Sequence, residues 1–285
     1  MHQRGTWAAA GGVAIGLAGA AVAVDRRLGT RPLATAAGLV AAGAYLTGTF
    51  SPTSRIFGAA AVTDATAKLF ALTFDDGPDP RYTPAISGIL AERGHRATFF
   101  VLARSVQEHP HLAAAVVDDG HELACHGDDH RLLAFALPGE LRRQITATED
   151  AVSMATGRRA VPLFRPPHGV RSPWLTRVVE QYGYRVCAWD GAVFDTAEPG
   201  PDMIAARVGR LLCPGAIILL HDGDGSGRGE SRRQTLDALP AILDAAEGRG
   251  LRSVPLSELV LPSGTSTSAR TQSRGSRRRM ARAAH

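Results

Sequence analysis

The chain has 285 residues, 45% of them hydrophobic, and a formal net charge of +5. This length accommodates one large domain with extensions, and the apolar content is that of a folded protein. The positive balance suggests a nucleic-acid binder, but its distribution excludes that for the body of the chain. Residues 262–285 hold six arginines and no acid, residues 1–60 hold five arginines and one aspartate, and the remainder is net acidic. No nucleic-acid partner is expected. The three cysteines, Cys125, Cys187 and Cys213, are odd in number, match no zinc spacing and read as small buried hydrophobes.

Residues 5–24 and 32–54 are uncharged stretches of 20 and 23 residues, each long enough to cross a bilayer core as a helix. The short basic connector 25–31 between them predicts a transmembrane hairpin with a cytoplasmic loop, which places the rest of the chain outside the cytoplasm. Gly12 and Gly16 have the small-residue spacing that lets membrane helices approach closely. The alternatives are a cleaved signal peptide led by Arg4, a single anchor, or a soluble segment.

After a linker, short apolar runs alternate with helical patterns. The runs cover 70–74, 97–102, 122–125, 162–164, 184–189, 216–220 and 251–254. The helical patterns cover 83–93, 111–119, 138–156, 173–182, 202–213 and 232–247, the first four followed directly by glycine, the usual helix stop. Seven strands alternating with helices predict a parallel α/β sheet curled into a distorted (β/α) barrel. Asp75, Asp76, His126, Arg165, Asp195 and His221 follow the strands, and in such a barrel the strand C-termini converge on one functional face.

Four segments carry chemistry. Residues 73–77, Thr-Phe-Asp-Asp-Gly, put two carboxylates side by side after an apolar strand, a repulsion that a cation relieves; a solvated turn is the alternative. Residues 126–130, His-Gly-Asp-Asp-His, put two histidines on one face if they form a helical turn. Two histidines and one aspartate leave an open coordination position, the layout of a catalytic rather than a structural zinc site. Residues 165–169, Arg-Pro-Pro-His-Gly, present an arginine able to hold a carboxylate through its planar fork; a surface arginine is the alternative. Residues 219–222, Leu-Leu-His-Asp, place His221 at the same predicted face, where a satisfied core or surface histidine is the alternative.

Together, from about residue 70 to 259, these segments resemble the polysaccharide deacetylases, the nodulation-protein-B homology domain of carbohydrate esterase family 4. The resemblance implies that Asp75 is the general base, that Asp76, His126 and His130 bind the metal, and that Arg165 orients Asp75. It implies that Asp195 orients active-site partners, that Leu219 lines the acetyl pocket, and that His221 is the general acid. The backbone N–H of His168 is the expected oxyanion donor. The sequence departs from the family pattern at Gly127 (usually Ser or Thr), His168 (Tyr), Ala192 (Asp) and Thr196 (Trp), departures that bear on substrate choice and on support of the metal loop. Zinc is the expected cofactor, with cobalt or another divalent ion as alternatives.

The expected organisation is a membrane-anchoring segment (1–60), a catalytic domain (61–261) and a disordered basic tail (262–285) able to touch anionic cell-surface polymer or lipid. The glycine-rich run 222–229 reads as a mobile rim loop or a plain connector. The expected function is metal-dependent removal of N-acetyl groups from peptidoglycan or chitin-like N-acetylglucosamine residues, by a catalytic domain on the outer side of the cell membrane or secreted after signal cleavage. The alternatives are an O-acetyl esterase, a deacetylase of a small or lipid-linked sugar, and a glycan-binding pseudoenzyme.

Overall fold

The computed structural model describes residues 32–50 and 67–260, with side chains described for 38–49 and 67–260. Seven strands form the sheet: β1 (Leu69–Asp75), β2 (Ala97–Val101), β3 (Glu122–Cys125), β4 (Val161–Phe164), β5 (Arg185–Val186), β6 (Ile217–His221) and β7 (Arg252–Ser253). All pair in parallel in the order β5-β4-β3-β2-β1-β6, with β7 beside the start of β1. The helices are α1 (Pro32–Phe50), α2 (Thr83–Glu92), α3 (Ala103–Glu108), α4 (Pro110–Asp118), α5 (Pro138–Thr156), α6 (Pro173–Gln181), α7 (Pro201–Leu211), α8 (Arg233–Glu247) and α9 (Leu256–Leu259).

Side chains alternate across a strand, and that alternation builds the site. Phe70, Leu72 and Phe74 of β1 face outward into the core shared with the helices, where Phe74 stacks on Phe99 at 5.1 Å. Ala71 packs in a different cluster with Phe100, Ala124 and Ile217, on the inner face of the curl. Thr73 and Asp75 keep step with Ala71. Ile218 and Leu220 of β6 join the outer core, so Leu219 and His221 face inward. Burying each of the large outward side chains contributes roughly 1.5–3 kcal/mol, which makes a one-residue slip of register costly.

The barrel is incomplete. The expected six-residue run 184–189 supplies only two residues of strand, and no ladder joins β5 to β6. Asp190 spans that opening: its N–H donates to Ile217 O at 3.0 Å and its Oδ2 accepts from Ile217 N at 2.7 Å. A side-chain acceptor there stands in for a backbone carbonyl, so the chain turns away from the sheet without orphaning Ile217. Helix α3 was not expected from the sequence pattern. The stop at Gly157 was: its φ of 68° ends α5 in a left-handed cap.

The transmembrane hairpin is not supported. Its first segment lies outside the described residues, and no described helix is long and apolar enough to cross a membrane. The second segment forms α1, rich in alanine, glycine and threonine, whose buried Thr49 accepts through its backbone carbonyl from Arg171 N at 3.1 Å. The basic tail also lies outside the described residues. Cys125 and Cys187 are buried as expected, but Cys213 is exposed; all three are free.

Candidate active site

All nine residues singled out from the sequence meet at the C-terminal end of the strands, in a cavity of about 410 Å³ or directly behind its wall. Asp75, Asp76, His126, His130, His168, Asp195, Leu219 and His221 line the cavity. Arg165 lies beneath it, fully buried.

Asp75 ends β1 and is held from below. Arg165 Nη1 donates to Asp75 Oδ1 at 2.7 Å and to Thr73 Oγ1 at 2.8 Å, while its Nη2 reaches Ala188 O at 3.3 Å. The guanidinium lies 4.1 Å from the Phe100 ring and 5.5 Å from the Trp189 ring. These contacts clamp a charge that would otherwise be costly to bury, and they leave Asp75 Oδ2 facing the cavity.

Asp76 follows with φ of 80°, a left-handed conformation uncommon for a residue with a side chain. His126 Nε2 and His130 Nε2 lie 3.3 and 3.2 Å from its Oδ1. Despite that proximity, Asp76 Oδ1 is buried and has no hydrogen-bond partner. His126 Nδ1 donates to the carbonyl of Arg165 at 2.8 Å, which directs Nε2 toward Asp76. Among the described residues, Asp76, His126 and His130 are the set whose ligand atoms converge, all within 4.8 Å of one another. An orphaned carboxylate oxygen facing two imidazole nitrogens fits a divalent cation, and the donor set of two nitrogens and one oxygen suits zinc.

The ionisation of these groups follows from their surroundings. Burial pushes the Asp76 carboxyl up, but His126, with His221 and His130, outweighs it and holds Asp76 far below the usual carboxylate range. Burial pushes His126 down; the charges of Asp75 and Asp76 outweigh it, and the net shift is upward. Burial prevails at His130, which falls to about 4, aided by the neighbouring His126 and His168.

His126 and His130 do not sit on a helical turn. Residues 126–130 form an irregular bend in which Gly127 has φ of 92° and His130 φ of 59°. The support that a hydroxyl at position 127 would give comes instead from α5. Gln144 Oε1 accepts from Asp128 N at 2.5 Å, and Thr148 Oγ1 donates to Gly127 O at 2.9 Å. A Cβ at position 127 would lie 2.8 Å from Gln144 Oε1, so glycine there and glutamine at 144 go together. Two buried polar residues four apart on an otherwise apolar helix face were the available signal.

On the opposite wall, His221 ends β6. Asp195 Oδ1 accepts from His221 Nδ1 at 2.9 Å, while Asp195 Oδ2 accepts from His221 N at 2.8 Å and from Thr235 Oγ1 at 3.0 Å. Burial pushes His221 down, but the charge and hydrogen bond of Asp195 raise it to about 9. Leu219 lines the floor, and His168 stands at the rim with its ring centroid 4.4 Å from that of His130. Ala192 and Thr196, two of the departures from the family pattern, form part of the wall.

The glycine-rich run is organised rather than a plain connector. Asp224 accepts from the backbone N–H groups of Ser226, Gly229 and Glu230, and Arg104 donates to Gly225 O at 2.8 Å. Gly225 is pressed against the cluster: a Cβ there would lie 2.6 Å from Asp76 Oδ1. Trp189, Phe194 and Arg232 also line the cavity and were not foreseen, whereas Gly225 belongs to the run read as a rim loop.

Comparison with known proteins agrees with this constellation. The family model described as polysaccharide deacetylase matches residues 63–187. A peptidoglycan-N-acetylglucosamine deacetylase of Bacillus cereus is 34% identical over 195 residues, covering 68% of this chain and 88% of its own. A chitooligosaccharide deacetylase of a Bradyrhizobium species is 34% identical over 194 residues, covering 66% of this chain and 89% of its own. A crystal structure of a peptidoglycan N-acetylglucosamine deacetylase, in complex with 4-naphthalen-1-yl-N-oxidanyl-benzamide, superposes with a TM-score of 0.66 at 28% identity, over 70% of this chain and 92% of that one. With its strand-end carboxylates and histidines gathered in one cavity, this chain belongs to the polysaccharide deacetylase family.

Proposed function

We propose that residues 61–261 are a metal-dependent hydrolase that removes N-acetyl groups from peptidoglycan or chitin-like N-acetylglucosamine residues and releases acetate. One observation carries the reading. Asp75 and His221, ends of adjacent strands, flank the Asp76–His126–His130 cluster, and each is oriented by its own buried counter-ion. The named activities of the bacterial relatives support the substrate class.

Asp76, His126 and His130 would hold the cation. When bound, zinc or another divalent ion supplies Lewis-acid polarisation of the acetyl carbonyl and acidifies water at the site. Asp75, its far oxygen pinned by Arg165, takes the proton of the attacking water. The N–H of His168 is the proposed donor to the carbonyl oxygen as it gains charge. Leu219 bounds the space for the acetyl methyl. His221, held through Nδ1 by Asp195, presents Nε2 to the leaving nitrogen and protonates it as the C–N bond breaks. The products are acetate and a free amine.

The test is acetate and amine release by the full-length chain from N-acetylglucosamine oligomers and peptidoglycan, after chelation and after zinc is restored. Zinc-restored release of both, lost in His126→Ala and His130→Ala, is expected. Acetate without amine would favour an O-acetyl esterase, and glycan binding without release a pseudoenzyme. We further propose that the domain works outside the cytoplasm, where these polymers lie. The exposed thiol of Cys213 would then react with a membrane-impermeant maleimide on intact cells; labelling only after lysis would refute it.

A further inference from the structure

His168 stands in the short turn Pro167–Gly169 after β4, with φ of 60°, its side chain exposed in the same cavity as the metal cluster. The turn around it is firmly placed. Gly169 N donates to Pro166 O at 3.0 Å, and Gly169 packs so closely on Trp189 that a Cβ would come within 2.4 Å of the indole. A left-handed backbone costs a residue with a side chain roughly 1–2 kcal/mol, so the fold holds His168 there against local preference.

The imidazole contacts the ring of His130 edge-on, at 4.4 Å between centroids and 67° between planes, and makes no hydrogen bond among the described residues. His126 and His130 are 5.3 Å apart by the same measure. Two imidazoles sharing one zinc ion, each at about 2.0–2.1 Å, have centroids about 4.5–5.3 Å apart for angles of about 90–110° at the metal. The seated His130–His168 spacing of 4.4 Å falls just short of that range. As seated, His168 is outside the converging set of Asp76, His126 and His130. Its side chain is exposed and borders the same cavity.

We propose that His168 is an exchangeable fourth ligand of the metal held by Asp76, His126 and His130, occupying a coordination position that the glycan takes when it binds. The inference rests on the metal reading given under Proposed function. In the resting enzyme the fourth ligand slows metal loss; on substrate entry it swings to the rim and leaves the position open.

The experiment is zinc titration of the full-length chain against a competing chelator, in wild type, His168→Ala and His168→Phe, alongside visible absorption of the cobalt-loaded proteins. Phe keeps the ring edge against His130 but removes both nitrogens, and thermal melts confirm folding. Zinc dissociation constants raised about tenfold or more in both variants are expected, with a changed cobalt spectrum. His168→Glu, which returns a ligand atom, should recover part of the affinity. Equal affinity and an unchanged spectrum in His168→Phe would overturn the proposal while leaving the three-ligand site intact. A wild type that binds no zinc would overturn the metal reading itself, and this inference with it.

Discussion

Asp75 and His221 are lateral partners at the ends of two adjacent parallel strands, and the N–H of Asp222 donates to Asp75 O at 3.2 Å. Their spacing is therefore set by the sheet ladder and does not depend on a loop. Arg165 at 2.7 Å and Asp195 at 2.9 Å then fix which atom of each faces the cavity. This division of labour predicts that Asp75→Asn and His221→Ala each lower turnover by about 10²–10⁴-fold while zinc content stays at the wild-type level. Asn is the informative choice at 75, because it keeps an acceptor for the buried Arg165. Loss of zinc along with activity would show that either residue serves the metal instead.

The pH profile should report His221. As the proposed general acid it must be protonated, and the charge of Asp195 raises it to about 9 against the pull of burial. Turnover should fall as pH rises, with the alkaline limb no higher than about 9, because a cation at Asp76 reduces that residue's contribution. Asp195→Asn should move the limb down by about one unit or more. Stability carries the same sign: the folded value exceeds the ordinary one, so the stabilisation is present in full below about pH 6.5 and is lost as pH rises through the folded value. Profiles of kcat/KM from pH 6 to 10 check both proteins; an unmoved limb would exclude His221 as its source.

Asp222 is fully buried beneath the cavity. Thr83 Oγ1 donates to its Oδ2 at 2.5 Å, while its Oδ1 has no partner. Burial, reinforced by the charge of Asp76, pushes it up to about 7. The folded protein then keeps a proton that the unfolded chain loses at lower pH, so stability declines between about pH 4 and 7. Asp222→Asn should raise Tm by a few degrees at pH 8 and change it little at pH 5. Melts of the chelated protein at both pH values test this; equal shifts would rule out ionisation as the cause.

Gly225 approaches the Asp76–His126–His130 cluster more closely than a side chain permits. A Cβ would lie 2.6 Å from Asp76 Oδ1 and 2.7 Å from His130 Cδ2, and the Arg104 bond to its carbonyl resists retreat of the loop. Gly225→Ala should weaken zinc binding by about tenfold with the fold retained. Chelator competition with a melt as control is the measurement; wild-type affinity would show that the loop yields freely.

The residue pattern of this chain speaks for local features. Apolar runs ending in Asp75, His126, Arg165 and His221 are legible because strands alternate with helices, and parallel packing sends every strand end to one face. The paired carboxylates and the two histidines were legible from residue type and spacing, and the choice of Asp76 over Asp75 from the family resemblance, although the bend that presents the histidines is stabilised by Gln144 and Thr148 from α5, not by a helical turn. Partnerships across long separations are not written in the local pattern: the Arg165–Asp75 pairing was expected through the family resemblance alone, while the partner of Asp195 and the hold on Gly225 emerge from the folded chain. Arg165 lies 90 residues from Asp75, Asp195 lies 26 from His221, and Gly225 is tied to Arg104 across 121. The same holds for the opening between β5 and β6, where Asp190 substitutes for a missing ladder. Periodicity encodes which face of its own element a residue occupies. It carries no information on how far the sheet curls, and that curl decides which distant charges become neighbours in a medium where few can remain unpaired.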